Sequence, residues 1–196
     1  AGTFTATSTD FSGGTSTYSG GAIYAYSATA SLSDVTFSDH TAGGSGGAIY
    51  AYYEAALTIA GATFTGNSAV GSGGDVGAYA GGATVISDYE STGAIAGTGT
   101  GYGGSVSLYS MTGDLTLTSL DIDGAVSAYG GAMYLSTSAA ATIADSTFTN
   151  NTAAYYGGAV DYYDAYNASS LVISDSTFTG NVATAYYGGG LYFYGG

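Results

Sequence analysis

The chain has 196 residues, of which 35 are Gly and 21 are Tyr, and it contains no Lys, Arg, Pro, Cys or Trp. Its 14 acidic side chains give a formal net charge of -14, which argues against nucleic acids and anionic membrane surfaces as partners, because both are bound through Lys and Arg. The lack of cysteine excludes disulfides and thiol chemistry. No apolar run approaches the roughly 20 residues that span a bilayer, so we expect no membrane insertion by this segment.

A repeated glycine pair and the strand after it dominate the sequence. Residues 20–26 read GGAIYAY, and residues 46–52 spell the same letters. Related pairs recur every 26–31 residues and begin at Gly20, Gly46, Gly73, Gly103, Gly130, Gly157 and Gly188. Such a period is typical of solenoids, and the abundance of Thr, Val, Ile, Tyr and Phe favours strands over helices. We therefore predict one all-β domain over residues 1–196, a parallel β-solenoid of about seven coils of ~27 residues.

The strand after each glycine pair has two different faces. Ile23 and Ala25 alternate with Tyr24 and Tyr26, which places the first two residues in the core and the tyrosines outside. Equivalent residues in stacked coils lie ~4.8 Å apart, so aligned rings can form a ladder. The tyrosines of this predicted binding or packing face are Tyr24, Tyr26, Tyr50, Tyr52, Tyr79, Tyr109, Tyr134, Tyr163, Tyr192 and Tyr194.

The second half of each repeat carries an FxxN motif. LTIAGATFTGNSA at residues 57–69 returns as ATIADSTFTNNTA at 141–153 and as LVISDSTFTGNVA at 171–183. Its aliphatic residues and phenylalanine are predicted to face inward and its threonines outward, with a corner at the central GA, ADS or SDS. Asn67, Asn151 and Asn181 are predicted to form an internal ladder. Residues 85–100 fit the pattern worst, so we expect a loop or distorted coil there, with Ile95 opposite the phenylalanine column.

The paired GGA[ILV] and FxxN motifs identify a resemblance. GGAI at Gly20 and Gly46, GGAV at Gly157, and FTGN or FTNN at residues 64–67, 148–151 and 178–181 resemble the repeats of chlamydial polymorphic outer-membrane proteins. The resemblance covers nearly the whole chain, with gaps in the fourth and fifth repeats. It implies a right-handed parallel β-helix that is displayed outside a cell and used for adhesion. The chain departs from that family by lacking every Lys and Arg.

Few side chains suggest catalysis or metal binding. His40 replaces asparagine in the motif FSDH, beside Asp39, and with no second histidine or cysteine we expect it to fill a corner. Asp121 and Asp123 flank Ile122 on one strand and are the best catalytic pair, but no basic residue or histidine accompanies them. We therefore predict no enzyme, no metal site and no cofactor.

The remaining polar patterns give weaker alternatives. Single acids at three corners, Asp34, Asp145 and Asp175, could bind calcium, although each coil supplies only one carboxylate. Outward Thr-x-Thr pairs suggest an ice-binding face, but Asp10/Ser12, Ala94/Ala96 and Asp121/Asp123 are predicted to interrupt it. Asn150 and Asn167 begin glycosylation sequons, which matter if the protein is secreted by a eukaryote. The threonine pairs are Thr63/Thr65, Thr147/Thr149 and Thr177/Thr179, with Thr36/Ser38 close behind.

The function that the sequence favours is structural. A start without methionine and ends without a polar cap suggest an excerpt of a longer chain or a subunit that stacks into a polymer. We expect an extracellular or cell-surface fibre or layer that self-associates end to end and through its tyrosines. The alternative is an adhesin that binds glycans or host proteins, followed by an ice-binding solenoid and a carbohydrate-active enzyme.

Overall fold

Parallel strands wind through the chain in successive coils. The computed structural model describes residues 2–54, 56–164 and 169–195, and every strand pairing among them is parallel. The first strands are β1 (Gly2–Thr7), β2 (Asp10–Ser12), β3 (Thr15–Ser16), β4 (Ile23–Tyr26), β5 (Ala28–Ser38), β6 (Thr41–Ala42), β7 (Ile49–Tyr52), β8 (Ala56–Thr65) and β9 (Ser68–Ala69). They are followed by β10 (Val76–Tyr79), β11 (Ala83–Thr92), β12 (Val106–Met111), β13 (Leu115–Asp123), β14 (Val126–Tyr129), β15 (Met133–Thr137) and β16 (Ala140–Ala144). The last are β17 (Thr147–Thr149), β18 (Thr152–Tyr156), β19 (Val160–Asp164), β20 (Ser170–Ser174), β21 (Thr177–Thr179), β22 (Val182–Ala183) and β23 (Leu191–Gly195).

These strands form three faces around one core. The long strands make a ten-stranded sheet whose main path is β1-β5-β8-β11-β13-β16-β20, and the strands after the glycine pairs make a seven-stranded sheet, β4-β7-β10-β12-β15-β19-β23. The third face consists of β3-β6-β9 and β14-β18-β22, which single-residue bridges at Ile95 connect. The predicted all-β solenoid of about seven coils is confirmed.

The two glycines of each pair have different roles. Gly46 has φ of 66°, the left-handed conformation that glycine adopts without strain. Gly47 lies so close to the next coil that an added Cβ would be 1.9 Å from the carbonyl oxygen of Gly74. The same close approach recurs at Gly21, Gly104 and Gly131. The first glycine therefore turns the chain, and the second lets adjacent coils stack.

The long strands bend at a left-handed residue in the predicted corner. Asp34, Gly61 and Asp145 have φ values of 51°, 63° and 52°. The residues on either side of the corner alternate as expected: Leu57, Ile59 and Phe64 are fully buried. Phe37 and Phe64 stack with centroids 4.9 Å apart, so the phenylalanine column forms a continuous stack through this part of the core.

The expectation of a loop or distorted coil over residues 85–100 is wrong for most of its length. Strand β11 pairs in register with β8 on one side and with β13 on the other. Ser91, not Ile95, pairs with Phe64, and Ile95 is 46% exposed on the third face. The ring of Tyr89, two residues earlier, is buried and lies 4.9 Å from the ring of Phe64. A tyrosine from the neighbouring column thus occupies the space that the missing phenylalanine leaves, and the irregular part is confined to the turn at residues 97–101.

No helix in the described part of the chain is long and apolar enough to cross a membrane.

Candidate functional site

The outer face of the seven-stranded sheet carries the first of two tyrosine ladders. Ring centroids are 5.7 Å apart between Tyr26 and Tyr52, 5.5 Å between Tyr52 and Tyr79, and 5.5 Å between Tyr79 and Tyr109. The ladder follows directly from the register of the sheet, because equivalent residues of successive coils pair with one another. We call this column of tyrosines the first rim.

A second ladder comes from the residue just before each glycine pair, and sequence reasoning missed it. In the first three coils this residue is Ser19, Ser45 or Ser72, and each serine Oγ accepts a hydrogen bond from the backbone N–H of the next coil. From the fourth coil onward the column changes from serine to tyrosine. Those tyrosines, the second rim, are Tyr102, Tyr129, Tyr156 and Tyr187. The signal was present in the sequence as the dipeptide Tyr-Gly at the start of each later repeat.

Between the two rims lies a groove whose floor is the column that begins at Tyr24. The floor residues are Tyr24, Tyr50, Gly77, Ser107, Tyr134, Asp161 and Tyr192. Tyr134 belongs to the predicted outward column, but it is only 5% exposed because the ring of Tyr102 covers it, with ring centroids 4.6 Å apart. Burial raises the pKa of Tyr134, with the nearby Asp161 charge as the next cause. A sequence pattern of alternation gives the face of a side chain but not what covers it.

The other tyrosines of the predicted face are at least partly accessible. Tyr50, Tyr52, Tyr79 and Tyr192 are half-buried, and Tyr24, Tyr26, Tyr109, Tyr163 and Tyr194 are exposed. Burial of its ring, followed by the neighbouring tyrosines, raises the pKa of Tyr50 to about 12. The Tyr50 phenol therefore stays neutral across the physiological range, and the rings of this face offer hydrogen-bonding, aromatic surface.

Small residues in the floor open the first of two pockets. Gly77 and Ser107 lie between the rings of Tyr50 and Tyr134, and their small side chains leave a cavity of about 220 Å³. Tyr79 and Tyr109 of the first rim line one side, and Tyr102 lines the other. This pocket contains hydroxyl groups and aromatic surface but no carboxylate.

The second pocket lies further along the groove and has a carboxylate in it. Its cavity of about 410 Å³ is within the roughly 300–1,000 Å³ of typical small-molecule sites. Asp161 is 3% exposed, and burial raises the pKa of its carboxyl to about 7. The lining consists of Asp161 with eight tyrosines: Tyr102, Tyr109, Tyr129, Tyr134, Tyr156, Tyr163, Tyr192 and Tyr194. Tyr102 and Tyr109 line both pockets, so the two form one groove.

The three predicted ladder asparagines face inward and bind the preceding coil. The Nδ2 group of Asn151 donates to the carbonyl of Ile122 at 3.0 Å, and its Oδ1 accepts from the backbone N–H of Ala125 at 2.9 Å. Asn67 and Asn181 make equivalent bonds to the coils before them, and Asn67 and Asn151 are fully buried. These side chains satisfy backbone groups and are not available to a ligand.

Asn67 also reaches a buried carboxylate that sequence reasoning did not single out. Asp75 accepts hydrogen bonds from Asn67 Nδ2 at 2.8 Å, Ser91 Oγ at 2.5 Å, Ser105 Oγ at 2.8 Å and Tyr89 OH at 3.1 Å. Burial raises the pKa of Asp75 to about 6, although these four donors act in the opposite direction. Asp75 thus lies at the centre of a polar cluster between the third and fourth coils, and it has no access to solvent.

His40 occupies the corner position that the sequence suggests. Its Nδ1 accepts from the backbone N–H of Gly14 at 2.9 Å, and its ring meets the edge of Phe37 at 5.9 Å. The imidazole is 1% exposed, and Asp39 beside it is turned away at the surface with φ of 58°. The residue thus takes the place of a ladder asparagine.

The acids considered for catalysis lie on the opposite, ten-stranded sheet. Asp121 is exposed in a shallow pocket with Asp88 and Glu90, and Asp123 Oδ1 accepts from Asn150 Nδ2 at 3.1 Å. Among the described residues no group of three or more His, Cys, Asp or Glu could hold a metal ion, and the corner acids Asp34, Asp145 and Asp175 belong to different coils.

The threonine face differs from its predicted form at one coil. The pair that stands between Thr63/Thr65 and Asp121/Asp123 is Glu90/Thr92, whereas Ala94 and Ala96 are buried. The misplaced alignment of the fourth repeat by four residues caused this error. Acids at Asp10, Glu90 and Asp121 interrupt the face, which does not favour ice binding.

Of the two sequons, Asn150 is exposed at a corner, and Asn167 lies outside the described residues.

The fold agrees with a family model that matches the chain. Residues 2–196 match the model described as the right handed beta helix region. The chain therefore belongs to the right-handed β-helix family, which confirms the predicted handedness and leaves the narrower chlamydial family as a prediction. No curated protein and no solved structure matches the chain.

Proposed function

We propose that the chain is an extracellular, non-catalytic β-helix that binds glycans in the groove between the two tyrosine rims. The observation that carries this proposal is the continuity of the groove: two pockets in a row share Tyr102 and Tyr109 as walls. Such a shape suits an extended, repeating ligand better than a single compact molecule.

The chemistry of the lining supports a sugar ligand. Each tyrosine offers a flat apolar ring that stacks on the C–H face of a sugar, together with a hydroxyl that bonds to sugar hydroxyls. The net charge of -14, with no Lys or Arg, repels acidic polysaccharides and favours neutral or basic ones. The resemblance to chlamydial outer-membrane passengers points the same way, toward surface display and adhesion.

Titration calorimetry with neutral oligosaccharides tests the proposal. Tyr109→Ala removes a wall of both pockets and is expected to weaken binding about three- to tenfold, as a stacked aromatic contact contributes about 0.5–1.5 kcal/mol. Tyr18→Ala is the matched control, because Tyr18 is 82% exposed and lines neither pocket. Equal affinities for wild type and Tyr109→Ala, with both variants folded by circular dichroism, would rule out the groove as the binding site.

Self-association into a fibre or surface layer is the second candidate. Tyr24, Tyr186 and Tyr187 expose 53, 58 and 65% of their surface, and such large exposed rings are characteristic of protein–protein contacts. Sedimentation velocity over a hundredfold concentration range, with electron microscopy of the concentrated sample, tests it. We expect assembly that Tyr186→Ser/Tyr187→Ser reduces, and a monomer without filaments at every concentration would refute it.

A further inference from the structure

The second pocket holds a carboxylate, that of Asp161, which no described side chain neutralises. Asp161 is 3% exposed, and within residues 2–54, 56–164 and 169–195 no side chain or backbone group donates a hydrogen bond to it. The chain contains no Lys or Arg, and His40 is held at a distant corner by Gly14. No Lys or Arg can therefore pair with Asp161, and a bound cation would supply the missing positive charge.

Asp75 is also a buried acid, but this fold provides hydrogen-bond donors for its carboxylate. Asp75 receives four hydrogen bonds from side chains, which replace the water that burial removes. None of the described residues donates to Asp161 in this way, and its carboxylate borders an open cavity of about 410 Å³. An unpaired buried carboxylate is costly, which is why burial raises the pKa of Asp161 to about 7.

The surroundings of Asp161 define which cation fits. Eight tyrosines line the pocket, and burial, followed by the Asp161 charge, raises the pKa of Tyr134 among them. Aromatic faces attract an organic ammonium through their quadrupoles, and a carboxylate among them adds a hydrogen-bond acceptor. A metal ion would need several oxygen ligands, and no acid besides Asp161 lines this pocket.

We propose that the pocket around Asp161 binds an organic ammonium group, and that in a glycan this group is the protonated amine of an amino sugar. The sugar part of this inference rests on the proposed glycan-binding function, whereas the ammonium part does not. The amine would donate to the Asp161 carboxylate while its carbon substituents contact the tyrosine rings. The first pocket, which has tyrosines but no carboxylate, would hold a neutral ring of the same chain.

Calorimetric titrations with three probes separate these parts. A glucosamine oligomer carries both groups, its fully N-acetylated counterpart keeps the sugar rings but lacks the charge, and tetramethylammonium keeps only the charge. We expect the glucosamine oligomer to bind at least tenfold more tightly than the acetylated one, and Asp161→Asn to abolish that difference. Asp121→Asn is the matched control, because it removes one charge from the opposite sheet and leaves the groove intact.

Each result decides one part. If wild type and Asp161→Asn bind the glucosamine oligomer equally, the ammonium site is refuted, while binding of the acetylated oligomer would still uphold the glycan groove. If tetramethylammonium binds in an Asp161-dependent way but neither oligomer does, the ammonium site stands and the glycan groove fails.

Tetramethylammonium has a constant charge, so its affinity should fall about tenfold per pH unit well below 7, as Asp161 becomes protonated. A pH-independent affinity between pH 5 and 8 would also refute the site.

Discussion

At the residue scale, the repeated glycine pair combines two constraints that look identical in the sequence. The first glycine, such as Gly46 with φ of 66°, supplies a left-handed turn that side chains rarely adopt. The second, such as Gly47, needs only the absence of a Cβ, because the carbonyl of Gly74 in the next coil fills that space. Both constraints act wherever another coil follows, and the strand that carries the tyrosines begins two residues after the second glycine.

Replacing the second glycine should therefore destabilise the solenoid by a purely steric route. We expect Gly47→Ala to lower the free energy of unfolding by about 2–4 kcal/mol, because its Cβ would meet backbone atoms that only a separation of the coils can move. Gly99→Ala is the control, since a Cβ there has nothing within 4 Å, and it should change stability by less than about 0.5 kcal/mol. Urea unfolding of both variants gives the comparison, and equal stabilities would contradict the close-stacking account.

Within single strands, the alternation of inward and outward side chains was predictable from the sequence. The side chains that cover the outer face of the strands were not. Periodicity places Ile23 and Ala25 inside and Tyr24 and Tyr26 outside, and the structure shows the same faces. Alternation could not show that Tyr102 would fold over Tyr134, because Tyr102 precedes the glycine pair and lies outside the aligned strand. The groove and Asp161 were missed for this reason: they depend on contacts between two segments that were read separately.

The fourth coil illustrates the same limit inside the core. Ser91 stands where the preceding coils have phenylalanine, and the compensating ring is that of Tyr89, two residues earlier in the same strand. Its hydroxyl then needs partners, and Asp75 and Ser105 supply them at 3.1 and 2.8 Å. An alignment of the repeats compares only residues at equivalent positions. It therefore does not show when a side chain at a different position fills the space of a missing one.

The hydroxyl of Tyr89 should contribute measurably to stability. We expect Tyr89→Phe to lower the free energy of unfolding by about 1–3 kcal/mol, because it removes a donor to Asp75 and leaves buried Ser105 with fewer partners. Tyr18→Phe, at an exposed ring, should be neutral. Thermal and chemical unfolding monitored by circular dichroism measure the difference, and a Tyr89→Phe variant as stable as wild type would mean that the cluster does not stabilise the fold.

At the scale of the whole molecule, three buried carboxyl groups make stability depend on pH in an unusual direction. Burial raises the pKa to about 7 for Glu54, about 6 for Asp75 and about 7 for Asp161. The folded state thus binds protons more tightly than the unfolded state, so the stability from these groups is complete below about pH 4 and is lost as pH rises to about 7. Protonation also relieves the repulsion within a chain of net charge -14.

We therefore expect the protein to become more stable on acidification from pH 8 to pH 4.5. Asp75 alone, whose pKa rises from 3.8 to about 6, would contribute about 3 kcal/mol to this change. Unfolding in urea at fixed high salt, where surface repulsion is screened, isolates the contribution of the buried groups. Glu54→Gln and Asp161→Asn should each reduce the slope, and a stability that falls on acidification through this range would contradict the raised pKa values.

We propose that the tyrosine groove is a glycan-binding surface with a separate place for an ammonium group. A crystal structure of the protein with a glucosamine oligosaccharide bound tests it most directly. We predict sugar rings stacked on Tyr102 and Tyr109 between the two rims, with an amine within hydrogen-bonding distance of Asp161. An oligosaccharide bound on another face, or a groove that stays empty at saturating ligand, would contradict it.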